Sequence, residues 1–282
     1  MRVAQQSGFA RNKSEARYPH LWNGLVGAWS PHLNPRGGTK LWDLSGRQNH
    51  GTLTNMDPAT DWVMSDGYGA LDFDGSTNLV KVGSVVQFPL TVCLFMRSTV
   101  DPVGFYDAMF EQTEGDTYAG WWIAKSTNDG SGNKFAFILS GVAVYPFTTL
   151  MLTSTTDWFF VAVSVTGNNG TATGYLANMT TRADLKSEST SIGTMSGVIN
   201  NTTIGSLRAF TATNTHTGQI SDVLIYDRVL NGATINQLYQ LGPGGWAERR
   251  RAPIGYVADV GGGGFQAAWA RGSNRVISPG SY

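Results

Sequence analysis

The sequence predicts an all-β protein in which two antiparallel sheets pack face to face as a jelly-roll sandwich. Apolar and polar residues alternate along many short segments, as they do in half-buried strands. The chain contains 35 glycines, many of them next to Asn, Ser or Thr, and such pairs mark turns. Helical periodicity is nearly absent, and we find no long internal repeat, which disfavours solenoids and propellers. These features together are typical of a sandwich.

The predicted strands follow one another at short intervals along the chain. Residues 70–81 alternate apolar side chains with Asp72 and Asp74 before they turn. Residues 91–97 form a continuous apolar run, typical of a central strand, in which Cys93 is expected to be buried. Further strands are predicted at 120–125, 134–140, 158–166, 173–177, 202–206 and 218–227. Turn signals stand at 75–78, 128–133 and 166–170.

One short helix is predicted near residues 231–240. Asn231 is a suitable N-cap, and Gly242 begins a glycine-rich stretch that ends the helix. Apolar residues spaced about one turn apart give the helix one buried face. They are Ile235, Leu238, Tyr239 and Leu241.

Composition divides the chain into an N-terminal arm (1–19), a central domain (20–241) and a C-terminal arm (242–282). The whole chain has 20 basic and 20 acidic residues, so its formal net charge is zero. Each arm carries three more basic than acidic residues, so the central domain is acidic. A neutral total gives no general attraction to nucleic acid, and we expect no nucleic-acid partner.

Several protein classes are excluded by simple counts. The single cysteine cannot form an internal disulfide or a paired-cysteine metal site. No apolar stretch approaches the ~18 residues of a membrane-spanning helix, so no membrane partner is expected. The first 17 residues contain no apolar run, which predicts that no secretory signal is cleaved here.

An ordered set of motifs along residues 20–241 resembles a known family. The motifs are GLVGAW at 24–29, DLSG at 43–46, NHGTL at 49–53, LDFDG at 71–75, DWFFVAV at 157–163, IG at 204–205 and GQISDVLIYD at 218–227. Their order and spacing are similar to those of the laminin-G-like, concanavalin A-like lectin/glucanase jelly roll. The resemblance implies two antiparallel sheets, one of them concave. The acidic residues in these motifs are expected to hold turns through backbone N–H groups.

The glucanases of that family carry a Glu-x-Asp-x-Glu-type pattern on one strand. Here Glu111 and Glu114 are three residues apart, so on a strand they would face opposite sides. The neighbouring Gly115 and Asp116 favour a loop instead. No Gly-x-Ser-x-Gly motif is present. We therefore predict no catalytic residue and no enzyme, with a glycoside hydrolase as the less favoured alternative.

Calcium is the commonest ligand in the family, although no cofactor is predicted to be required. Calcium needs six to eight oxygen ligands. Asp72, Asp74 and Asn78 form one oxygen-rich group, and residues 128–133 form another through Asn128, Asp129 and Asn133. Neither group has enough carboxylates for a specific ligand set, so the metal ligands stay unassigned.

Aromatic residues suggest where a glycan would bind, since sugars pack against exposed rings. Trp121 and Trp122 are consecutive on a predicted strand, so one ring points inward and the other outward. Tyr106 and Tyr118 precede them and complete the candidate set. The alternative is that the outward ring packs beneath a loop or against another subunit.

The C-terminal arm combines positive charge with aromatic residues in a glycine-rich segment. The predicted partner-docking residues are Arg249, Arg250, Arg251, Trp246, Tyr256, Phe265 and Trp269. The end of the arm resembles the tails of structural proteins of tailed bacteriophages. This resemblance implies a virion structural protein, either a head decoration or a fibre-associated subunit, made in the host cytoplasm. Its expected partners are other virion proteins and further copies of itself.

Two alternatives to this interpretation remain. The protein could be a lectin-type module that recognises a cell-surface polysaccharide, a role compatible with a place on a virion. The C-terminal arm could also fold back over an edge of its own sandwich instead of reaching a partner.

Overall fold

The computed structural model describes residues 8–34, 37–85, 87–100, 106–114, 119–126, 133–139, 143–195, 199–206 and 215–250. Within these residues the chain forms strands in two antiparallel sheets and one α-helix. The predicted all-β sandwich is confirmed. The fold follows from strands such as 91–97 that are apolar on both faces, because these must be enclosed between layers.

The first sheet is built around the apolar run that contains Cys93. Its strands, in spatial order, are β14 (Lys186–Ser191), β13 (Thr171–Asn178), β12 (Phe159–Val165), β7 (Leu90–Ser98), β16 (Thr217–Tyr226), β5 (Tyr68–Asp74) and β4 (Trp62–Ser65). A further strand, β1 (Leu25–Trp29), pairs with β16. Cys93 is fully buried, and that burial raises the pKa of its thiol.

The second sheet contains the remaining strands. In spatial order they are β11 (Ala143–Met151), β10 (Lys134–Leu139), β9 (Gly120–Ser126), β8 (Tyr106–Thr113), β15 (Asn201–Ile204), β6 (Leu79–Gly83), β3 (Gly51–Thr54) and β2 (Lys40–Leu41). Glu111 lies within β8, so the expectation of a loop there was wrong. The loop was predicted because Glu111 and Gln112 are polar. Both are nevertheless buried within the sheet, and polar residues in a sequence do not indicate such burial.

The main core fills the space between the sheets. Phe110, Trp121 and Phe137 from three adjacent strands of the second sheet stack there in tilted pairs 5.6 Å apart. A second apolar cluster lies on the outer face of the first sheet, beneath the helix α1 (Gly232–Leu241). Phe160 in β12 and Tyr239 in α1 join the two across 5.8 Å.

The helix begins and ends where the sequence predicts. The Asn231 side chain accepts a hydrogen bond from the Thr234 N–H, and the Gly242 N–H donates to the last turn. Ile235, Leu238 and Tyr239 are its buried residues. No helix in the described part of the chain is long and apolar enough to cross a membrane.

Residues 8–19 and 244–250 pack onto the first sheet as part of the same body. Phe9 and Ala16 make isolated β-bridges to Glu248 and Arg249. Trp246 is 1% exposed and its ring lies 5.0 Å from that of Trp22. A ring buried within its own chain is not available to a partner, so Trp246 is a packing residue rather than a docking residue.

Replacing Trp246 tests this placement. Trp246→Ala should lower the free energy of unfolding of the isolated chain by about 3–5 kcal/mol, because it removes a buried indole and leaves a cavity. Urea denaturation measures the change. Val229→Ala, at a side chain that is 41% exposed, is the control and should change little. An unchanged Trp246→Ala protein would place the ring outside the core.

A carboxylate joins the two sheets where their edge strands β11 and β14 meet. Glu188 in β14 accepts four hydrogen bonds of 2.7–2.9 Å from the backbone N–H and hydroxyl groups of Thr148 and Thr149 in β11. Partial burial alone would raise the pKa of Glu188. The four hydrogen bonds outweigh that effect and lower the pKa to about 2.

This junction should weaken in acid. Because the folded-state pKa is lowered, the contribution of Glu188 is complete above the unfolded value near 4.5 and disappears as the pH falls towards about 2. Glu188→Gln should therefore cost about 1 kcal/mol at pH 7, a modest amount because solvent screens the site. Urea titrations at pH 7, 5 and 3 should show the difference from wild type shrinking. A constant difference would contradict the assignment, and Asp184→Asn serves as an exposed control.

Candidate functional site

The aromatic residues predicted to bind a glycan occupy different environments. Trp121 is fully buried between the sheets. Trp122 lies on the outer face of the second sheet, where it is 4% exposed and contacts the ring of Tyr106 at 6.1 Å. Tyr118 lies outside the described residues. Neither tryptophan presents an open ring, which matches the alternative in which the outward ring is packed.

An exposed tryptophan that the sequence analysis missed stands at the edge of the second sheet. Trp42 follows β2 and is 43% exposed. The Lys40 ammonium lies 4.1 Å from its ring centroid, and the His50 ring meets it edge-on at 4.7 Å. The signal was the alternation Lys40-Leu41-Trp42, in which Leu41 is buried and its two neighbours point outward.

The backbone of Trp42 is held in place by a buried amide. The Asn34 side chain accepts a hydrogen bond from the Trp42 N–H at 3.2 Å and donates to the Trp42 carbonyl at 3.3 Å. It also donates to the Ser30 carbonyl at 2.8 Å. An exposed ring on a fixed backbone loses little freedom when a ligand binds, which favours affinity.

The motifs at 43–46 and 49–53 position His50, whose ring contacts Trp42. The Asp43 N–H donates to His50 Nδ1 at 3.1 Å, which orients the imidazole against Trp42. The buried Asp43 carboxylate in turn fixes the loop, as the sequence predicted. It accepts hydrogen bonds from the N–H groups of Ala28, Ser45 and Asn49 and from the Ser45 hydroxyl.

A row of in-register residues leads from Lys40 across the outer face of the second sheet. Side chains paired across neighbouring strands share a face, and adjacent residues such as Leu53 and Val80 enter the core instead. We call this set the outer row. It comprises Lys40, Thr52, Lys81, Thr203, Glu111, Trp122 and Ile138.

Exposure decreases along the outer row. Lys40 and Thr52 are exposed and Lys81 is half-buried, whereas Thr203 and Glu111 are fully buried. Among the described residues, the Thr203 hydroxyl and the Trp122 Nε1 have no hydrogen-bond partner. Both residues are buried, Thr203 at 0% and Trp122 at 4% exposure, so an incoming ligand reaches neither of these polar groups. The accessible part of the face therefore runs from Trp42 to Lys81.

A separate polar cluster is buried between the sheets. Asp107 accepts hydrogen bonds from the Ser98 hydroxyl and from His216 Nδ1, each at 2.7 Å. Because the carboxylate binds both groups, the hydroxyl is bonded to Asp107 rather than to the imidazole. The arrangement links β7, β8 and the start of β16.

A shallow cleft of about 200 Å³ lies on the opposite side of the molecule, at the end of α1. Its lining residues are Tyr68, Met179, Arg182, Tyr239, Gln240, Leu241, Gly242 and Pro243. The Tyr239 hydroxyl donates to the Ala183 carbonyl at 2.6 Å and is therefore engaged within the fold. The cleft is below the ~300–1,000 Å³ usual for ligand pockets.

The oxygen-rich group at Asp72, Asp74 and Asn78 was considered as a calcium site, but the Asp74 carboxylate is used in hydrogen bonds within the chain. The Asp74 carboxylate accepts backbone N–H groups of Ser76, Thr77 and Asn78 in a turn. Asp72 pairs with Gln219 in the first sheet, and Asn128 and Asp129 lie outside the described residues. Among the described residues, no group of three or more His, Cys, Asp or Glu side chains is placed to hold a metal ion.

The predicted docking arginines are only partly covered by the structure. Arg249 lies 3.8 Å from the Glu15 carboxylate, and the Arg250 N–H donates to the Glu15 carbonyl at 2.8 Å. Both side chains are on the surface. The other candidates, Arg251, Tyr256, Phe265 and Trp269, lie outside the described residues.

No protein-family model and no curated protein sequence matches the chain. Solved structures do match its fold. The sialidase of Trypanosoma rangeli in complex with sialic acid is 16% identical, with a TM-score of 0.52 over 77% of this chain and 32% of that chain. This chain thus spans about a third of that sialidase.

Two further structures are similar over more of their own length. Domain 4 of AbnA, a GH43 extracellular arabinanase from Geobacillus stearothermophilus, was solved in complex with arabinotriose. It is 17% identical, with a TM-score of 0.55 over 80% of this chain and 100% of that chain. A mutant of HCR/D is 14% identical, with a TM-score of 0.56 over 84% and 57% of the two chains.

These neighbours contradict the prediction that the protein is not an enzyme. Sialidases and a domain of an arabinanase are among the proteins that share its architecture. The prediction failed because it tested one catalytic pattern, the strand motif of the glucanases, and the fold also occurs in enzymes of other kinds. At 14–17% identity the likeness establishes the fold alone. The chain has a two-sheet β-sandwich fold that is similar to parts of a sialidase and to a domain of an arabinanase.

Proposed function

We propose that this protein binds carbohydrate, and that the sugar packs against Trp42 at the edge of the second sheet. The observation that carries the proposal is the exposed Trp42 ring on a backbone fixed by Asn34. The C–H face of a sugar packs against an aromatic ring, while polar groups at the rim bind its hydroxyls. Lys40, His50 and Thr52 supply such groups here.

The comparisons support a carbohydrate ligand. The arabinanase domain, matched over its whole length, was solved with arabinotriose, and the matched sialidase was solved with sialic acid. These ligands belong to those proteins. They make short oligosaccharides of neutral and acidic sugars the reasonable first probes.

Replacing the ring tests the proposal. Isothermal titration calorimetry of the full chain against a panel of oligosaccharides, arabinotriose included, should identify a bound sugar. Trp42→Ala should then weaken its binding at least about tenfold, equivalent to ~1.4 kcal/mol, with little change in melting temperature. Trp42→Phe should recover part of the affinity, since it keeps an aromatic face.

A matched control separates ring contact from general surface effects. Met64→Ala removes another exposed apolar side chain, 46% exposed and located on the first sheet, and should leave binding unchanged. Binding that survives Trp42→Ala, or the absence of binding to every member of the panel, would overturn the proposal.

The virion role inferred from the C-terminal arm stays a prediction from the sequence. The segment that carries the phage resemblance lies beyond residue 250, outside the described residues. The same holds for the expected virion partners, self-association and assembly in a host cytoplasm. A glycan-binding module and a virion subunit are compatible, because a particle surface is one place where glycan binding is useful.

A further inference from the structure

We propose that a second carbohydrate site lies beside the helix α1, on the outer face of the first sheet, and that it takes a single neutral sugar unit. The site is a pocket of about 290 Å³ between the start of α1 and the strands β13 and β14. We call it the Tyr175 pocket. It is lined by Tyr175, Asp184, Leu185, Ser187, Gly232 and Asn236. Its volume is near the lower end of the ~300–1,000 Å³ usual for ligand pockets, which suits one sugar unit.

Tyr175 supplies the aromatic surface of this pocket. Tyr175 in β13 pairs in register with Ser187 in β14, so both side chains lie on the same face of the first sheet. The Tyr175 ring is half-buried and packs, with Leu185, against the apolar cluster beneath α1. A ring held by the core on one side loses little freedom when a sugar packs against its accessible part.

A glycine keeps this ring open on the side of the helix. Gly232 is the first residue of α1. A Cβ atom at this position would lie 3.9 Å from Tyr175 Cε1, in van der Waals contact with the ring. Any larger side chain at Gly232 would therefore occupy part of the pocket.

The polar side chains around the ring are free to bind sugar hydroxyls. Asp184, Ser187 and Asn236 are exposed. Within the part of the chain that the structure describes, none of these three side chains forms a hydrogen bond or an ion pair. Other exposed carboxylates, such as Asp57 and Asp74, instead accept backbone N–H groups of their own turns. The Tyr175 pocket thus combines an aromatic ring with unused donors and acceptors.

The charges near the pocket favour a neutral ligand. The Asp184 carboxylate disfavours an anionic sugar, and the exposed Arg182 and Lys186, two residues to either side of it, disfavour a cationic one. A neutral sugar donates its hydroxyls to Asp184 and both donates to and accepts from the Asn236 amide. Burial raises the pKa of Tyr175, so its hydroxyl stays protonated at neutral pH and can donate as well.

This site is separate from the one proposed at Trp42 and does not depend on it. The pocket adjoins β14, the edge strand that meets β11, whereas Trp42 follows β2. The strands β11 and β2 are the two ends of the second sheet, seven strand spacings apart. At about 4.8 Å per spacing they are about 34 Å apart along the sheet. The two sites therefore bind separate short sugars, or distant points of one polysaccharide.

The experiment is a nuclear magnetic resonance titration of the isotope-labelled full chain with glucose, galactose, mannose and arabinose. We expect at least one of these sugars to shift the backbone amide signals of Ser187 and Asn236 in a saturable manner. Gly232→Leu fills the pocket and should abolish these shifts. Asn236→Ala should weaken binding about fivefold, the effect of losing one or two hydrogen bonds. Both positions are exposed on α1, and Leu and Ala favour a helix, so neither change should lower the melting temperature.

A matched control distinguishes the pocket from the rest of the helix. Gln240→Ala removes another exposed amide from α1, one turn after Asn236, and should leave binding unchanged. Shifts at Ser187 and Asn236 that persist in Trp42→Ala support this inference independently of the proposed function. Sugar-induced shifts confined to the surroundings of Trp42 would support the proposed function and overturn this inference.

Charged derivatives test the class of ligand. The amine and carboxylate derivatives of the sugar that binds, such as glucosamine and glucuronate for glucose, are titrated in the same way. The neutral sugar should bind at least about threefold more tightly than either, because each derivative brings a charge close to a like charge of the protein. Tighter binding of a charged derivative, the absence of shifts with every neutral sugar, or binding unaffected by Gly232→Leu and Asn236→Ala would each overturn the inference.

Discussion

The buried carboxylate of Asp222 is the interaction on which the architecture of this protein depends. In β16 it accepts hydrogen bonds from the Ser30 hydroxyl at 2.5 Å, the Gly244 N–H at 2.7 Å and Trp246 Nε1 at 2.9 Å. Burial raises the pKa of Asp222, and these three donors oppose the rise. The Asp222 side chain thus connects strand β16 to Ser30, which follows β1, and to residues 244–246. The Ser30 carbonyl also binds Asn34, which holds Trp42, so the candidate site is connected to this centre.

The packing of residues 244–250 explains why the candidate site lies on the second sheet and not on the first. Trp246, bound to Asp222, lies with Trp22 and α1 over the outer face of the first sheet. That face is consequently used for packing. On the second sheet the outer face remains accessible at β2, β3 and β6, where exposed residues such as Thr52 alternate with core residues such as Leu53. The candidate site therefore lies at one edge of one sheet.

The sequence predicted the parts of the fold that depend on apolar runs or on residues close together in the chain. Strands such as β7 and β12 are mostly apolar and are buried along most of their length. The cap Asn231 and the turn residue Asp43 act within a few residues of their own positions. The strand β8 was missed because its buried polar residue Glu111 depends on partners distant in sequence. Trp42 was missed because the alternation Lys40-Leu41-Trp42 covers only three residues, next to a strand of two, and is too short to stand out in the sequence. Trp121 and Trp122 were predicted as glycan-binding residues, but both are buried. Strand alternation predicts which side chain points outward, but it does not predict whether that side chain is exposed to solvent.

The buried carboxylates of the fold and the exposed cation beside Trp42 have different surroundings. Asp43 and Asp222 are buried and direct their oxygens at backbone or side-chain donors of the chain itself. They stabilise loops, and such roles leave no oxygen for an incoming ligand. Lys40 is exposed, and its ammonium lies 4.1 Å from the centroid of the exposed Trp42 ring. The acidic groups thus organise the loops, whereas an exposed ring and an exposed cation stand side by side at the candidate site.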